Sequence, residues 1–173
     1  MDTWKQIIIK TAQNTSPEES TLQFIHDAFI NVLIHEEKSP DEYQARAAIT
    51  GRVFELCLEY IFETCYPNLR IERNVDLPEA LMTGTGGADF VIYNQFGKKQ
   101  AVIEAKGSVD ELQWPDGTVI ENSRPGLLRS DTVKKSICQA YQIDKAYTAV
   151  PFVIISSHIP ESGSGADLLT MAE

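Results

Sequence analysis

Apolar and polar positions change period along this chain, and the changes mark its elements. From Glu19 to about Ile34 the apolar residues Leu22, Phe24, Ile25, Phe29, Ile30 and Leu33 recur at helical spacing. A second helix is predicted from Ser39 to about Tyr66, with Ser39 as N-cap and Pro40 at its first position, and a possible break at Gly51. Pro67-Asn68 ends it. The pattern then shortens to that of strands: Leu69 to Val75, Ala88 to Tyr93, and Gln100 to Lys106. A long loop is predicted from Gly107 to Ser130, then a helix from about Asp131 to Thr148 and a strand from Pro151 to Ser156. Ala166 to Glu173 gives a short last helix. The order α-β-β-β-α-β predicts an α/β fold, a mixed sheet flanked by helices, with extra helices at the N-terminus. One domain over residues 1–173 is expected, with a helical part over about 1–66 and a sheet core over about 67–160.

The two central strands carry the chemistry. Asn94 to Lys99 forms a turn between them, with Gly97 where positive φ is needed. A two- or four-residue loop centred on Phe96-Gly97 sets Asp89 directly opposite Glu104. Opposed residues share a face, with Cβ atoms about 4.5–5.5 Å apart. Lys106, two residues beyond Glu104, points to that face too. An odd-length loop would turn one strand over. Facing carboxylates repel, so a cation between them is expected. Mg²⁺ suits such a place, because it takes oxygen ligands and commonly pairs one or two carboxylates with phosphate oxygens. The plain alternative is a half-exposed hairpin with a solvated charged face.

Gly87-Ala88-Asp89 followed by Ile103-Glu104-Ala105-Lys106 resembles the signature of the PD-(D/E)XK nucleases, a superfamily that includes most type II restriction endonucleases. Ala88 stands where that family usually has proline. The resemblance covers roughly residues 45 to 160 by order of elements. It implies a restriction-endonuclease-like core and a Mg²⁺-dependent endonuclease of double-stranded DNA, with Mn²⁺ able to substitute. Asp89, Glu104 and the main-chain carbonyl of Ala105 would hold the metal, and Lys106 would position the attacking water. Glu55, in Gly51-Arg52-Val53-Phe54-Glu55, resembles the helix glutamate that many of these nucleases place near the metals. The alternative for Glu55, as for Glu59 and Glu63, is the wet face of an amphipathic helix. Gln139 matches a glutamine often carried on the helix after the Glu-x-Lys strand. The fuller Gln-xxx-Tyr pattern is absent, because Ile143 occupies the tyrosine position. Palindromic cutting implies a homodimer, and a restriction enzyme implies a DNA methyltransferase acting on the same site.

DNA contacts are expected from Arg124, Arg129, Ser130, Thr132, Lys134, Lys135 and Gln139. Arginines read guanine edges, and a helix start with nearby lysines holds phosphate. Net charge opposes this, at −10 over 173 residues. Its distribution is uneven. Residues 1–50 carry 4 basic and 8 acidic side chains, whereas residues 124–145 carry five basic and two acidic, a local +3. Thr83 to Gly87 is glycine-rich, but a strand follows where a phosphate-cradling helix would be needed. Those glycines are expected to let backbone or DNA approach Asp89.

Hydrophobic content of 43% with 23% charged residues is that of a globular protein. No run approaches a membrane span, and the first residues lack a signal peptide's pattern, so cytoplasm is the expected compartment. Cys57, Cys65 and Cys138 have no CxxC spacing, and the scattered His26, His35 and His158 make zinc a poor fit. Two further function classes stay open: a repair or recombination nuclease that reads DNA structure, and a non-catalytic interaction module. The long polar loop favours sequence reading; the acidic total favours the module.

Overall fold

The computed structural model describes residues 3–38, 42–121 and 125–172. The predicted helix start at Ser39-Pro40 and the candidate contact Arg124 lie outside the described residues. The described chain is mixed α/β, with five α-helices, a four-stranded mixed sheet and a separate two-stranded sheet. It divides into two compact units, residues 1–66 with 107–125, and residues 67–106 with 126–173.

The first unit contains α1 (Thr3–Asn14), α2 (Thr21–His35) and α3 (Tyr43–Cys65). Ile8, Phe24, Phe29, Val32, Leu33, Val53 and Cys57 are buried there, so each helix gives an apolar stripe to a core. Polar links join the helices: Trp4 Nε1 donates to Glu36 at 2.6 Å, and Thr15 Oγ1 donates to Asp27 at 2.7 Å. The helix α1 has no counterpart in the predicted elements. Its Ile7-Ile8-Ile9 run is β-branched and disfavours helix locally, and burial of Ile8 overrides that preference. The predicted break at Gly51 does not occur. A glycine there costs about 1 kcal/mol against alanine, less than the burial of Ile49, Val53 and Phe54 around it contributes.

This unit also holds β4 (Glu111–Gln113) and β5 (Val119–Glu121), an antiparallel hairpin inside the predicted long loop. Trp114 N–H donates to Thr118 O at 2.8 Å, Asp116 accepts from Thr118 N–H, and Gly117 takes φ +88. The Asp116-Gly117 pair between Leu112 and Val119-Ile120 is the signal for this turn. The strands are three residues each, too short to show alternation above noise. Gly107 opens the segment because nothing larger fits: a Cβ there would stand 1.8 Å from Cγ of Phe54.

The second unit is built on β1 (Arg70–Val75), β2 (Ala88–Tyr93), β3 (Lys99–Lys106) and β6 (Phe152–Ser156), in that spatial order. The first three form an antiparallel meander; β6 runs parallel to β3. Its helices are α4 (Ser130–Ala146) and α5 (Gly163–Ala172). A core of Leu77, Ala80, Met82, Ala88, Val91, Val102 and Ile143 joins the sheet to α4 and to the loop after β1. Gly87 permits a close approach: a Cβ there would lie 2.9 Å from the Val75 carbonyl oxygen. Asp76 Oδ1 accepts the Gly84 N–H at 2.7 Å and pins the glycine-rich turn. In this structure those glycines let strand meet strand just before Asp89.

Candidate metal centre

Register brings the candidate residues together. The pairs Phe90–Ile103, Val91–Val102 and Ile92–Ala101 keep one antiparallel register, and one step further it sets Asp89 beside Glu104. The route to that register differs from the predicted even-length loop. Five residues separate the strands, and Asn94 closes the turn by accepting from Gly97 N–H and donating to Lys98 O. A register shift then follows, Tyr93 pairing with Lys99 while Ile92 pairs with Ala101. Gln100 is the extra residue, and this bulge restores the parity that the odd loop removes.

Beyond Phe90–Ile103 the side chain of Asp89 joins the ladder: its Oδ2 accepts the Ala105 N–H at 2.7 Å. That bond fixes one carboxylate against the main chain of the Glu-Ala-Lys segment. Glu104, at 3% exposure, is among the buried charged residues. Its two oxygens have different partners. Lys106 Nζ donates to Oε1, and Gln139 Nε2 donates to Oε2 at 3.1 Å. Burying an unpaired carboxylate costs several kcal/mol, and these two donors offset that. Lys106 Nζ also lies 3.5 Å from the Ala105 carbonyl. The main chain of Lys106 is tied to β6, since its carbonyl accepts from Ser156 Oγ at 2.9 Å and from Ser157 N–H at 3.2 Å. Gly126, at φ +55, sits close behind: a Cβ there would be 2.8 Å from Ser156 Oγ.

Asp89, Glu104, Ala105, Lys106 and Gln139 therefore share one end of the mixed sheet. The other candidates are placed differently. Glu55 lies on α3 in the first unit and is paired with Arg52 at 2.8 Å. Glu59, on the same helix, is paired with Lys5 at 2.9 Å. Ser130 and Thr132 occupy the first turn of α4, and Lys134 and Lys135 are exposed on its outer side. Arg129 is paired with Asp131 at 3.0 Å, and this guanidinium holds the Asp131 carboxyl below its ordinary value. Gln139 is buried with Val133, Ser136 and Ile143 on the inner stripe of α4, so in this structure it serves Glu104 and not the surface that Lys134 and Lys135 present. The sequence carried a signal for that contact, a glutamine on an apolar stripe one turn after Ser136.

Among the described residues, no group of three or more His, Cys, Asp or Glu side chains could hold a metal ion. The donor set at this end of the sheet comprises two carboxylates and the Ala105 carbonyl, and Gln139 turns its amide nitrogen to Glu104. Gln139 Oε1 is buried and lacks a hydrogen-bond partner among the described residues. All three in the set are oxygen donors, and two carboxylates with water and substrate oxygens are a usual complement for Mg²⁺. By donor type these residues suit such a cation. Comparison with protein-family models, with curated proteins and with solved structures finds no match to this chain.

Proposed function

We propose that this chain is a Mg²⁺-dependent endonuclease of double-stranded DNA, with the PD-(D/E)XK core that its Asp-Glu-x-Lys pattern resembles. The observation that carries the reading is the meeting of Asp89, Glu104 and Lys106, with Asp89 bonded to Ala105 N–H and Lys106 on Glu104. The element order α3-β1-β2-β3-α4-β6, with the β4–β5 hairpin inserted before α4, and the parallel pairing of β6 with β3 support it. On this reading Asp89 and Glu104, with the Ala105 carbonyl, hold the cation. Glu55 enters as a ligand by resemblance alone.

Bound there, a divalent cation supplies charge neutralisation at the phosphate and a lowered pKa for the attacking water. Lys106 does two jobs. It neutralises Glu104 while no other cation does so, and with substrate present its ammonium orients the nucleophile and stabilises charge building on the phosphate oxygens. On the pattern of the resembled family, the water attacks in line and displaces the 3′ oxygen, which takes up a proton, so that 5′-phosphate and 3′-hydroxyl ends are left. Lys134 and Lys135, exposed beside the start of α4, are suited to hold the DNA backbone. A twofold dimer would supply two cutting sites, a methyltransferase of the same specificity would protect host DNA, and the cytoplasm is the compartment this role requires.

Cutting directed by DNA structure is the second reading, and one observation favours it. Glu111 to Glu121 of the predicted polar loop is the β4–β5 hairpin, which leaves a shorter segment to read bases. Supercoiled plasmid tests the function. Nicking or linearisation is expected in Mg²⁺, lost in Asp89→Asn, and re-sealed by ligase because the ends are 5′-phosphate and 3′-hydroxyl. Equal activity in Asp89→Asn would refute the site.

A further inference from the structure

Gln139 is 5% exposed, and its amide is only half used: Nε2 donates to Glu104 Oε2 at 3.1 Å, while Oε1 is buried without a partner among the described residues. Buried polar atoms without partners are rare in folded proteins and call for a specific reason. A half-turn of the amide exchanges its nitrogen and oxygen with almost no change of shape. The oxygen would then occupy the place of Nε2, 3.1 Å from Glu104 Oε2. Two oxygens at that separation repel unless a cation lies between them. Around Mg²⁺, with oxygens about 2.0–2.1 Å from the ion in an octahedron, neighbouring oxygens are about 2.9 Å apart. The spacing fits a shared ion.

We propose that Gln139 is a further ligand of this centre and switches with its occupancy, its amide N–H turned to Glu104 without the cation and its amide oxygen turned to the cation when bound. The proposal rests on the reading of Asp89 and Glu104 as a divalent-cation site. Without the cation, Lys106 on Oε1 and the Gln139 amide on Oε2 hold the carboxylate, and the amide gives up its place on Oε2 when the cation binds. The switch also gives the site a third protein side chain that carries no charge, which suits an ion that must release a product phosphate.

The test is a Mg²⁺ titration of ¹⁵N-labelled protein without DNA. The backbone signal of Ala105, bonded to Asp89, reports affinity, and the side-chain NH₂ signal of Gln139 reports the amide. That signal is assigned by its loss in Gln139→Leu or in the near-isosteric Gln139→Glu, should the first variant fail to fold. At saturating Mg²⁺ the Gln139 NH₂ signal is expected to move as it leaves the carboxylate, and Gln139→Leu to bind about tenfold more weakly. A glutamine that only donates to Glu104 competes with the ion. Removing it would then leave affinity unchanged or tighter, and either that result or an unmoved NH₂ signal overturns the proposal. Asp89→Asn separates the two levels. If wild type shows no Mg²⁺ response, or Asp89→Asn responds equally, the cation site itself is wrong and the ligand proposal falls with it.

Discussion

Removing Lys106 should cost more than removing the charge on Glu104, although the two form one pair. The side chain of Glu104 is 4% exposed and that of Lys106 is 18% exposed. Lys106→Met leaves a buried carboxylate with Gln139 as its remaining described donor. Breaking a buried pair from one side costs about 3–5 kcal/mol, and the retained amide bond places this case near ~3 kcal/mol. For a chain of this size each kcal/mol moves Tm by about 2–4 °C, so a fall of about 6–12 °C is expected. Glu104→Gln keeps the shape and leaves the Lys106 ammonium a path to water, so its cost should be about 1 kcal/mol. The double variant should melt close to Glu104→Gln alone. Thermal melts followed by circular dichroism in chelator measure all four proteins. A Lys106→Met variant melting within about 2 °C of wild type would refute the view that Glu104 is a buried ion held by Lys106.

Three further outcomes follow from the same structure. Gly107→Ala should destabilise by at least the roughly 1–3 kcal/mol typical of overpacking, with Phe54→Leu restoring part of it, measured by urea unfolding, because the new methyl would stand 1.8 Å from Phe54 Cγ. Tyr147 is pushed up to about 12 by burial and then by its hydrogen bond to Glu79. A raised folded value means that the stabilisation is complete below the ordinary phenol value near 10.0 and is lost as pH rises through about 12. Melts between those values should therefore fall more steeply for wild type than for Tyr147→Phe. Replacing exposed Lys134 and Lys135 with alanine should weaken duplex binding at all sequences and reduce the log–log salt slope by about 0.9 per lost phosphate contact; an unchanged slope would remove α4 from the DNA surface.

The sequence was most legible where alternation and chemistry coincide. The strand Ala88 to Tyr93 carries buried and half-buried residues on both faces, and its bounds follow from composition. The face shared by Asp89, Glu104 and Lys106 follows from a two-residue period. The means of reaching it did not: an odd loop and a bulge at Gln100 cancel, and bulges leave little trace in a single sequence. The helix α1 was hidden because its β-branched core run reads as strand or nothing, and its stability comes from packing. The β4–β5 hairpin was hidden by strand length alone. Gln139 shows the limit of assigning side chains by resemblance. The residue was expected to face DNA, and its position on the inner stripe of α4 turns it to Glu104. Glu55 marks the other limit, because its pairing with Arg52 is local to α3 and says nothing of a metal.

The most direct measurement separates binding from cutting on mixed-sequence duplex DNA, with wild type beside Lys106→Ala below the variant's melting midpoint. Both proteins should retard the duplex in Ca²⁺. In Mg²⁺ wild type should cut it while Lys106→Ala leaves it whole; discrete fragments would show sequence-directed cutting, and a smear cutting directed by DNA structure. Duplex left intact by wild type across several salts and divalent metals, or cut equally by Lys106→Ala, would contradict a nuclease centre built on Asp89, Glu104 and Lys106.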